Sequence, residues 1–291
     1  MKTIIVPTDF SKQAGYALDF ASEIAAKMGS TITLLHVVEY SKKKTIFLED
    51  SSLSTMASLP GTSDDNALFF IEMYRKRKLQ IADVVNDPKY SGVDIKPKIV
   101  LGTPYHAIEE EITMQDADII VMGTTGVSDW EESLIGSTAE KVVRHAGCPV
   151  LTLREPLQLG DVQNIVFASD FHEMTPGYVP VIEELQRVFK ARIKFLYINC
   201  PNHFKNEKEI RNLIQSFAKH NGFDNYDINI YSHRHREEGI VEFTQDSKMD
   251  MIMMATHGRS GLSRLFDHSV AEDVVNFSRK PVVTFNMHHL K

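Results

Sequence analysis

The stretch GTTGVSDWEESLIGST at residues 123–138 sets two glycines three apart and follows them, ten residues later, with Gly-Ser-Thr. Gly123 and Gly126 lack Cβ atoms, so the backbone there can turn tightly and let a ligand approach closely. Gly136, Ser137 and Thr138 open a helix whose free N–H groups and dipole favour an anion, while two hydroxyls add side-chain hydrogen bonds. Phosphate is the natural occupant. The frame is G-x2-G-x9-G-[ST]. It is not the dinucleotide fingerprint, which follows a first strand, nor a P-loop, because no G-x4-G-K-[ST] occurs.

A second stretch, ATHGRSGLSRLFDHS at 255–269, repeats the frame with changes. Ala255, Gly258, His268 and Ser269 fall at the matching positions. Ala255 adds one methyl. If the position of Gly136 needs a positive φ, His268 carries a strain of order 1 kcal/mol, and its ring takes volume meant for phosphate. Arg259 and Arg264 make this loop cationic, suiting either an anion or plain solvation. The first loop is acidic instead: Asp129, Glu131 and Glu132 oppose a polyphosphate within a Debye length of about 8 Å unless they face solvent or help hold magnesium. Trp130, in the same loop, either stacks on a ligand or packs at a domain contact. No catalytic constellation accompanies either frame, since G-x-S-x-G and H-E-x-x-H are both missing and no lysine sits among the glycines of the first.

The elements that must carry these frames are written twice. IIVPTDFS at 4–11 matches IVFASDFH at 165–172, and LLHVVEY at 34–40 matches FLYINCP at 195–201, both at an offset of 161 residues. DIIVMGTTG matches MIMMATHG, and STAEKVVRHAGCPVLTL at 137–153 matches SVAEDVVNFSRKPVVTF at 269–285, at an offset of 132. The first copy thus carries 29 extra residues between its second and third strands, within a serine- and charge-rich segment at 41–66 that reads as a long loop. Near-continuous apolar strands alternate with helical periods, the first helix opening at Ser11 as N-cap and closing at Gly29, another opening at Thr103-Pro104. This predicts an α/β protein of two tandem, doubly wound, five-stranded parallel-sheet domains, 1–154 and 160–291, joined through REPLQLG.

Composition narrows the partners. With 291 residues, 32 basic against 39 acidic and a net charge of −7, the surface does not suit a nucleic-acid backbone. No run approaches the roughly 18 apolar residues of a membrane span, and the expected setting is cytoplasmic. Cys148 and Cys200 read as buried small hydrophobes, and HRHR at 233–236 as a solvated basic loop in preference to a metal site.

With VPTDFS on the first strand and the glycine frame after the fourth, the sequence closely resembles the universal stress protein family, in its ATP-binding branch, over nearly the whole chain and twice. The resemblance implies a Rossmann-like fold of the adenine nucleotide alpha hydrolase type, and ATP, with magnesium, as a regulatory ligand in stress response and not a rapidly consumed substrate. It places Asp9 near sugar and adenine with Pro7 and Thr8 beside it, Val38 along the adenine, and the phosphates on Gly123, Gly126, Gly136, Ser137 and Thr138, with Met122 among the other nucleotide-binding residues. Judged alone, Asp9 reads equally as a helix-capping carboxylate. Asp170 is its counterpart in the second copy, with Gly258, Arg259, His268 and Ser269 as the remaining candidates for either a degenerate site or a site for a different anion. Family members pair through their last strand, which in a tandem chain sets PVLTL against PVVTF intramolecularly and leaves a homodimer open; an interaction scaffold without nucleotide, or a slow ATP hydrolase, are the competing readings.

Overall fold

The computed structural model describes residues 1–40, 46–47, 64–124, 136–171, 179–223, 226–256 and 268–286. Strands and helices alternate in the first repeat as β1 (Thr3–Pro7), α1 (Lys12–Met28), β2 (Thr31–Glu39), β3 (Ile46–Phe47), α2 (Asp64–Val85), β4 (Asp94–Gly102), α3 (Pro104–Gln115), β5 (Ile119–Gly123), α4 (Ser137–His145) and β6 (Val150–Leu153). The second repeat follows with β7 (Asn164–Ala168), α5 (Val179–Phe189), β8 (Arg192–Asn199), α6 (Glu207–His220), β9 (Tyr226–Ser232), α7 (Arg236–Asp246), β10 (Met251–Thr256), α8 (His268–Phe277) and β11 (Val282–Asn286).

All eleven strands join one sheet, in the order β3-β4-β2-β1-β5-β6-β11-β10-β7-β8-β9. Within each repeat the order reverses beside the first strand: β1 runs to β2 and β4 on one side and to β5 and β6 on the other, and β7 divides β8 and β9 from β10 and β11. Every neighbouring pair is parallel except two. β3 runs antiparallel to β4, pairing Ile46 with Leu101 and Phe47 with Val100, and β6 runs antiparallel to β11, pairing Val150, Leu151 and Thr152 with Thr284, Val283 and Val282. Because the repeats meet through the antiparallel β6–β11 pair, their strand carboxyl ends, and any clefts there, point in opposite directions along the strands.

The local signals act as the sequence dictates. The Ser11 hydroxyl accepts from the Ala14 amide and Gly29 closes α1 in the left-handed region at φ 68°. Thr103 and Pro104 open α3 at the cap and first position, although the threonine hydroxyl makes no capping bond. The segment 41–66 departs from a simple loop: β3 lies inside it and α2 begins at Asp64, while residues 41–45 and 48–63 lie outside those described. Two apolar residues between KKKT and LEDSS show no period, so the sixth strand of this repeat was not readable from pattern alone.

Alternating strand residues feed two apolar layers. One layer holds Ile4, Val6, Leu34, Val38 and Leu151 together with Phe167, Phe195, Phe217 and Phe285; the other holds Ile5, Leu35, Met122 and Val150 together with Val166, Ile252 and Val282. Both layers run through the β6–β11 seam without interruption. Polar contacts reinforce it. The Arg144 guanidinium reaches both oxygens of Glu272 at 2.6 and 2.7 Å, and Arg154 donates to the carbonyls of Val275 and Asn276 at the end of α8. Farther from the seam, the N-terminal ammonium pairs with Glu184, and the Glu23 carboxylate accepts from the Leu159 amide at 2.7 Å. No helix among the described residues is long and apolar enough to cross a membrane.

Candidate functional site

Open parallel sheets bind ligands beyond the strand carboxyl ends where strand order reverses. In the first repeat that point lies between β1 and β5, and a cleft of about 360 Å3 opens there. One wall is the turn after β1. The Thr8 amide still pairs with the Leu35 carbonyl at 2.8 Å, its hydroxyl accepts from the Phe10 amide at 3.0 Å, and Asp9 Oδ1 accepts from the Ser11 amide at 2.8 Å. These bonds hold Phe10 at φ 67°, a conformation costly for a bulky side chain. The second repeat builds the same turn: the Ser169 hydroxyl accepts from the Phe171 amide at 3.0 Å, and Phe171 stands at φ 57°.

His36 buttresses this wall. Its Nδ1 lies 2.8 Å from the Thr8 carbonyl, which only accepts, so Nδ1 carries the proton and Nε2 of the neutral ring is an acceptor. The imidazole and Phe10 ring centroids are 4.6 Å apart, and the Arg77 guanidinium lies 5.5 Å from the centroid of the Phe10 ring. Burial pushes the His36 pKa down from its ordinary 6.5; the bond to Thr8 opposes this, the Arg77 charge adds to it, and Asp9 pulls upward.

The opposite wall is the end of β5 and the start of α4. Gly136 caps α4 with φ −54° and ψ 140° and no side-chain capping bond, and the first helical bond runs from the Glu140 amide to the Gly136 carbonyl at 3.1 Å. The amides of Ser137, Thr138 and Ala139 therefore have no intrahelical acceptor. Among the described residues, a Cβ on Gly136 would meet nothing within 4 Å. The apolar lining comes from Ala14, Leu35, Ile108 and Met122. Asp9 and Glu39 bring negative charge, and no lysine or arginine lines the cleft among the described residues.

Of the residues singled out in the sequence, Pro7, Thr8, Asp9, Met122, Gly123, Gly136, Ser137 and Thr138 line this one cleft. Three corrections follow. Val38 is not in the cleft: alternation along β2 turns it into the apolar layer on the other face, 5% exposed, while Val37 lines the cleft. Gly123 is bare for a different neighbour than a ligand, since a Cβ there would lie 2.3 Å from the backbone of Gln13 in the first turn of α1. Gly136 has a negative φ, so no backbone strain attaches to His268 at the matching position. Gly126 and the loop acids Asp129, Glu131 and Glu132, with Trp130, lie outside the described residues, as do Gly258, Arg259 and Arg264. Asp9 Oδ1 accepts from the amide of Ser11, so the carboxylate braces the entry to α1 while Ser11 is its cap. His36 went unread because its position within an apolar strand resembles any core residue; the polar character of the ring was the available signal.

In the second repeat, Asp170 is buried and lines a smaller cleft of about 220 Å3, whereas His268 and Ser269 are the first residues of α8. The HRHR segment is partly as expected: His233 Nδ1 bonds to the backbone of His235, and Nε2 lies 3.5 Å from Glu242, an anchored turn before α7 and not a freely solvated one. Cys148 and Cys200 are both buried thiols, and burial pushes Cys148 up to about 12.

The model of the Universal stress protein family matches residues 1–154 and 203–286, most of the chain. The universal stress protein Slr1230 of Synechocystis is 23% identical over 98% of this chain and all of its own length. Universal stress protein MJ0531 of Methanocaldococcus jannaschii is 32% identical over 53% of this chain and 83% of its own. In fold, a universal stress protein from Archaeoglobus fulgidus superposes with a TM-score of 0.72 at 17% identity, covering 98% of each chain. The family match over most of the chain, together with the end-to-end likeness to Slr1230, places the chain in the universal stress protein family.

Proposed function

We propose that the first-repeat cleft binds ATP with magnesium, and that the nucleotide acts as a regulatory ligand of a stress-response protein in which residues 1–154 and 160–291 are two domains. The observation that carries this reading is the pairing, across one cleft at the strand-order reversal, of the Thr8-Asp9 turn with the uncapped amides of Ser137, Thr138 and Ala139. Amides at a helix start suit phosphate oxygens. The Asp9 carboxylate suits ribose hydroxyls, and the apolar surface of Leu35, Val37 and Ile108 suits a purine face. Residues present fit the nucleotide at both ends. Magnesium supplies charge neutralisation that the cleft's own side chains do not, since Asp9 and Glu39 are its charged lining among the described residues.

A second reading, an interaction scaffold without nucleotide, draws support from the β6–β11 pairing, which buries a strand edge on its own and needs no ligand to hold the repeats together. Thermal denaturation separates the two. ATP with magnesium raises the melting temperature in a concentration-dependent way if the cleft is a nucleotide site. A folded protein whose melting temperature does not move at millimolar ATP supports the scaffold.

A further inference from the structure

His36 interrupts the apolar run LLHVV of β2, and strand alternation turns its side chain to the face of Leu34 and Val38, away from that of Leu35 and Val37. It is 6% exposed, and a buried imidazole needs a hydrogen bond to offset the water it has lost. The bond it makes is to the turn after β1, where Nδ1–H donates to the Thr8 carbonyl at 2.8 Å. The same ring packs on Phe10, with centroids 4.6 Å apart, and the Arg77 guanidinium lies 5.5 Å from the Phe10 centroid. The imidazole therefore holds the residues on either side of Asp9: Thr8 through its carbonyl and Phe10 through its ring.

That grip constrains where the Asp9 carboxylate can go. The Thr8 carbonyl and the Asp9 amide belong to one planar peptide, so fixing the carbonyl fixes the entry to Asp9. On its other side Phe10 stands at φ 67°, which a bulky residue keeps only where its surroundings hold it. Between the two anchors Asp9 Oδ1 accepts from the Ser11 amide at 2.8 Å. One carboxylate oxygen is thus committed to the turn, while the residue itself stays exposed in the lining of the cleft.

The second repeat keeps the turn without the imidazole. The Ser169 hydroxyl accepts from the Phe171 amide at 3.0 Å and Phe171 stands at φ 57°, as in the first repeat. The register of β7 with β8, set beside that of β1 with β2, puts Tyr197 at the position of His36. Phe171 packs instead against the rings of Phe167, Phe195 and Phe217, at centroid distances of 5.9, 5.5 and 5.2 Å. The aspartate of that turn, Asp170, is 8% exposed. The exposed aspartate is the one whose two neighbours are held by a histidine.

We propose that His36 is a positioning residue of the first-repeat cleft: acting through Thr8 and Phe10, it holds the Asp9 carboxylate for the ribose hydroxyls and so makes the cleft selective for nucleotides that carry them. The inference rests on the nucleotide reading of that cleft. What the Thr8 carbonyl requires is a donor at the position of Nδ1, which the amide of an asparagine reaches and the longer amide of a glutamine overshoots.

The full-length protein is titrated calorimetrically, in the presence of magnesium, with ATP and with 2′,3′-dideoxy-ATP. Wild type binds ATP at least about tenfold more tightly, the worth of one charge-assisted hydrogen bond. His36→Asn keeps that preference. His36→Gln and His36→Leu each bring ATP down to the affinity of the dideoxy nucleotide, whose own Kd changes by less than about threefold, whereas a general loosening of the cleft weakens both nucleotides alike. The leucine variant places no new polar group in the core, so the test does not depend on the glutamine variant folding. Equal binding of the two nucleotides by wild type, a preference that survives in both the glutamine and leucine variants, equal weakening of both nucleotides, or loss of the preference in His36→Asn overturns the inference and leaves the nucleotide site standing. Wild type that binds neither nucleotide overturns the reading of the cleft, and this inference with it.

Discussion

Gly123 and Gln13 touch backbone to backbone: a Cβ on the glycine would fall 2.3 Å from the Gln13 carbonyl carbon and oxygen, and 2.6 Å from the Ala14 amide nitrogen. The end of β5 and the start of α1 therefore approach each other as closely as they do because the side chain is missing. Gly123→Ala forces one backbone to shift and is expected to cost about 1–3 kcal/mol in chemical denaturation. Gly136→Ala, whose methyl would meet no described atom within 4 Å at an ordinary φ, is expected to stay within about 0.5 kcal/mol of wild type. Equal stabilities for the two variants would contradict the packing described.

The seam makes a separate prediction. Arg144 grips Glu272 with two nitrogens, and both side chains are mostly covered, at 28% and 13% exposure. A double-mutant cycle with Arg144→Gln and Glu272→Gln is expected to give a coupling of about 1 kcal/mol, shrinking as salt is raised. A coupling of zero at low salt would mean that this ion pair adds nothing to the strand pairing, the apolar layers and the other polar contacts between the repeats.

His36 makes stability depend on pH. Because burial lowers its folded-state pKa below the ordinary 6.5, the unfolded chain binds the proton more readily. The contribution is complete above about pH 6.5 and is lost as pH falls toward the folded value. His36→Asn keeps a donor for the Thr8 carbonyl but does not titrate. Its denaturation midpoint is expected to fall less than that of wild type between about pH 7.5 and about pH 5.5; identical losses would show that other groups account for the whole effect.

The charge of the first cleft predicts a cofactor requirement. With Asp9 and Glu39 along it and no described cation among its lining residues, ATP without a divalent ion would meet like charge. Chelating magnesium is expected to weaken ATP binding at least about tenfold, read by calorimetry in the presence and absence of chelator. Unchanged affinity would point to cations contributed from elsewhere.

Much of the fold was legible because its signals are local. Ser11, Gly29, Thr103 and Pro104 act through bonds to near neighbours, and the repeated apolar strands announce a parallel sheet by themselves. What escaped depends on distance or on a single step of register. Val38 and Val37 differ by one residue, yet only the strand's pairing with β4 and β1 decides which faces the cleft. The reason for Gly123 lies in α1, over a hundred residues away in sequence, and glycine looks the same whether a ligand or a helix approaches it. The lining of the second repeat's cleft by Lys205 and Arg236 was not readable either, since no motif connects them to Asp170.

The central claim is tested most directly by titrating ATP with magnesium into wild-type protein and into Gly136→His, which carries into the first repeat the residue found at His268. With the strain argument removed by the φ of −54°, the imidazole acts by its volume beside the amides of Ser137 to Ala139, where no described atom lies within 4 Å of a Cβ. Saturable binding by wild type at one site per chain, weakened at least about tenfold in a variant of equal melting temperature, is the predicted result. Binding of equal strength in the two proteins, or none in wild type, would contradict it.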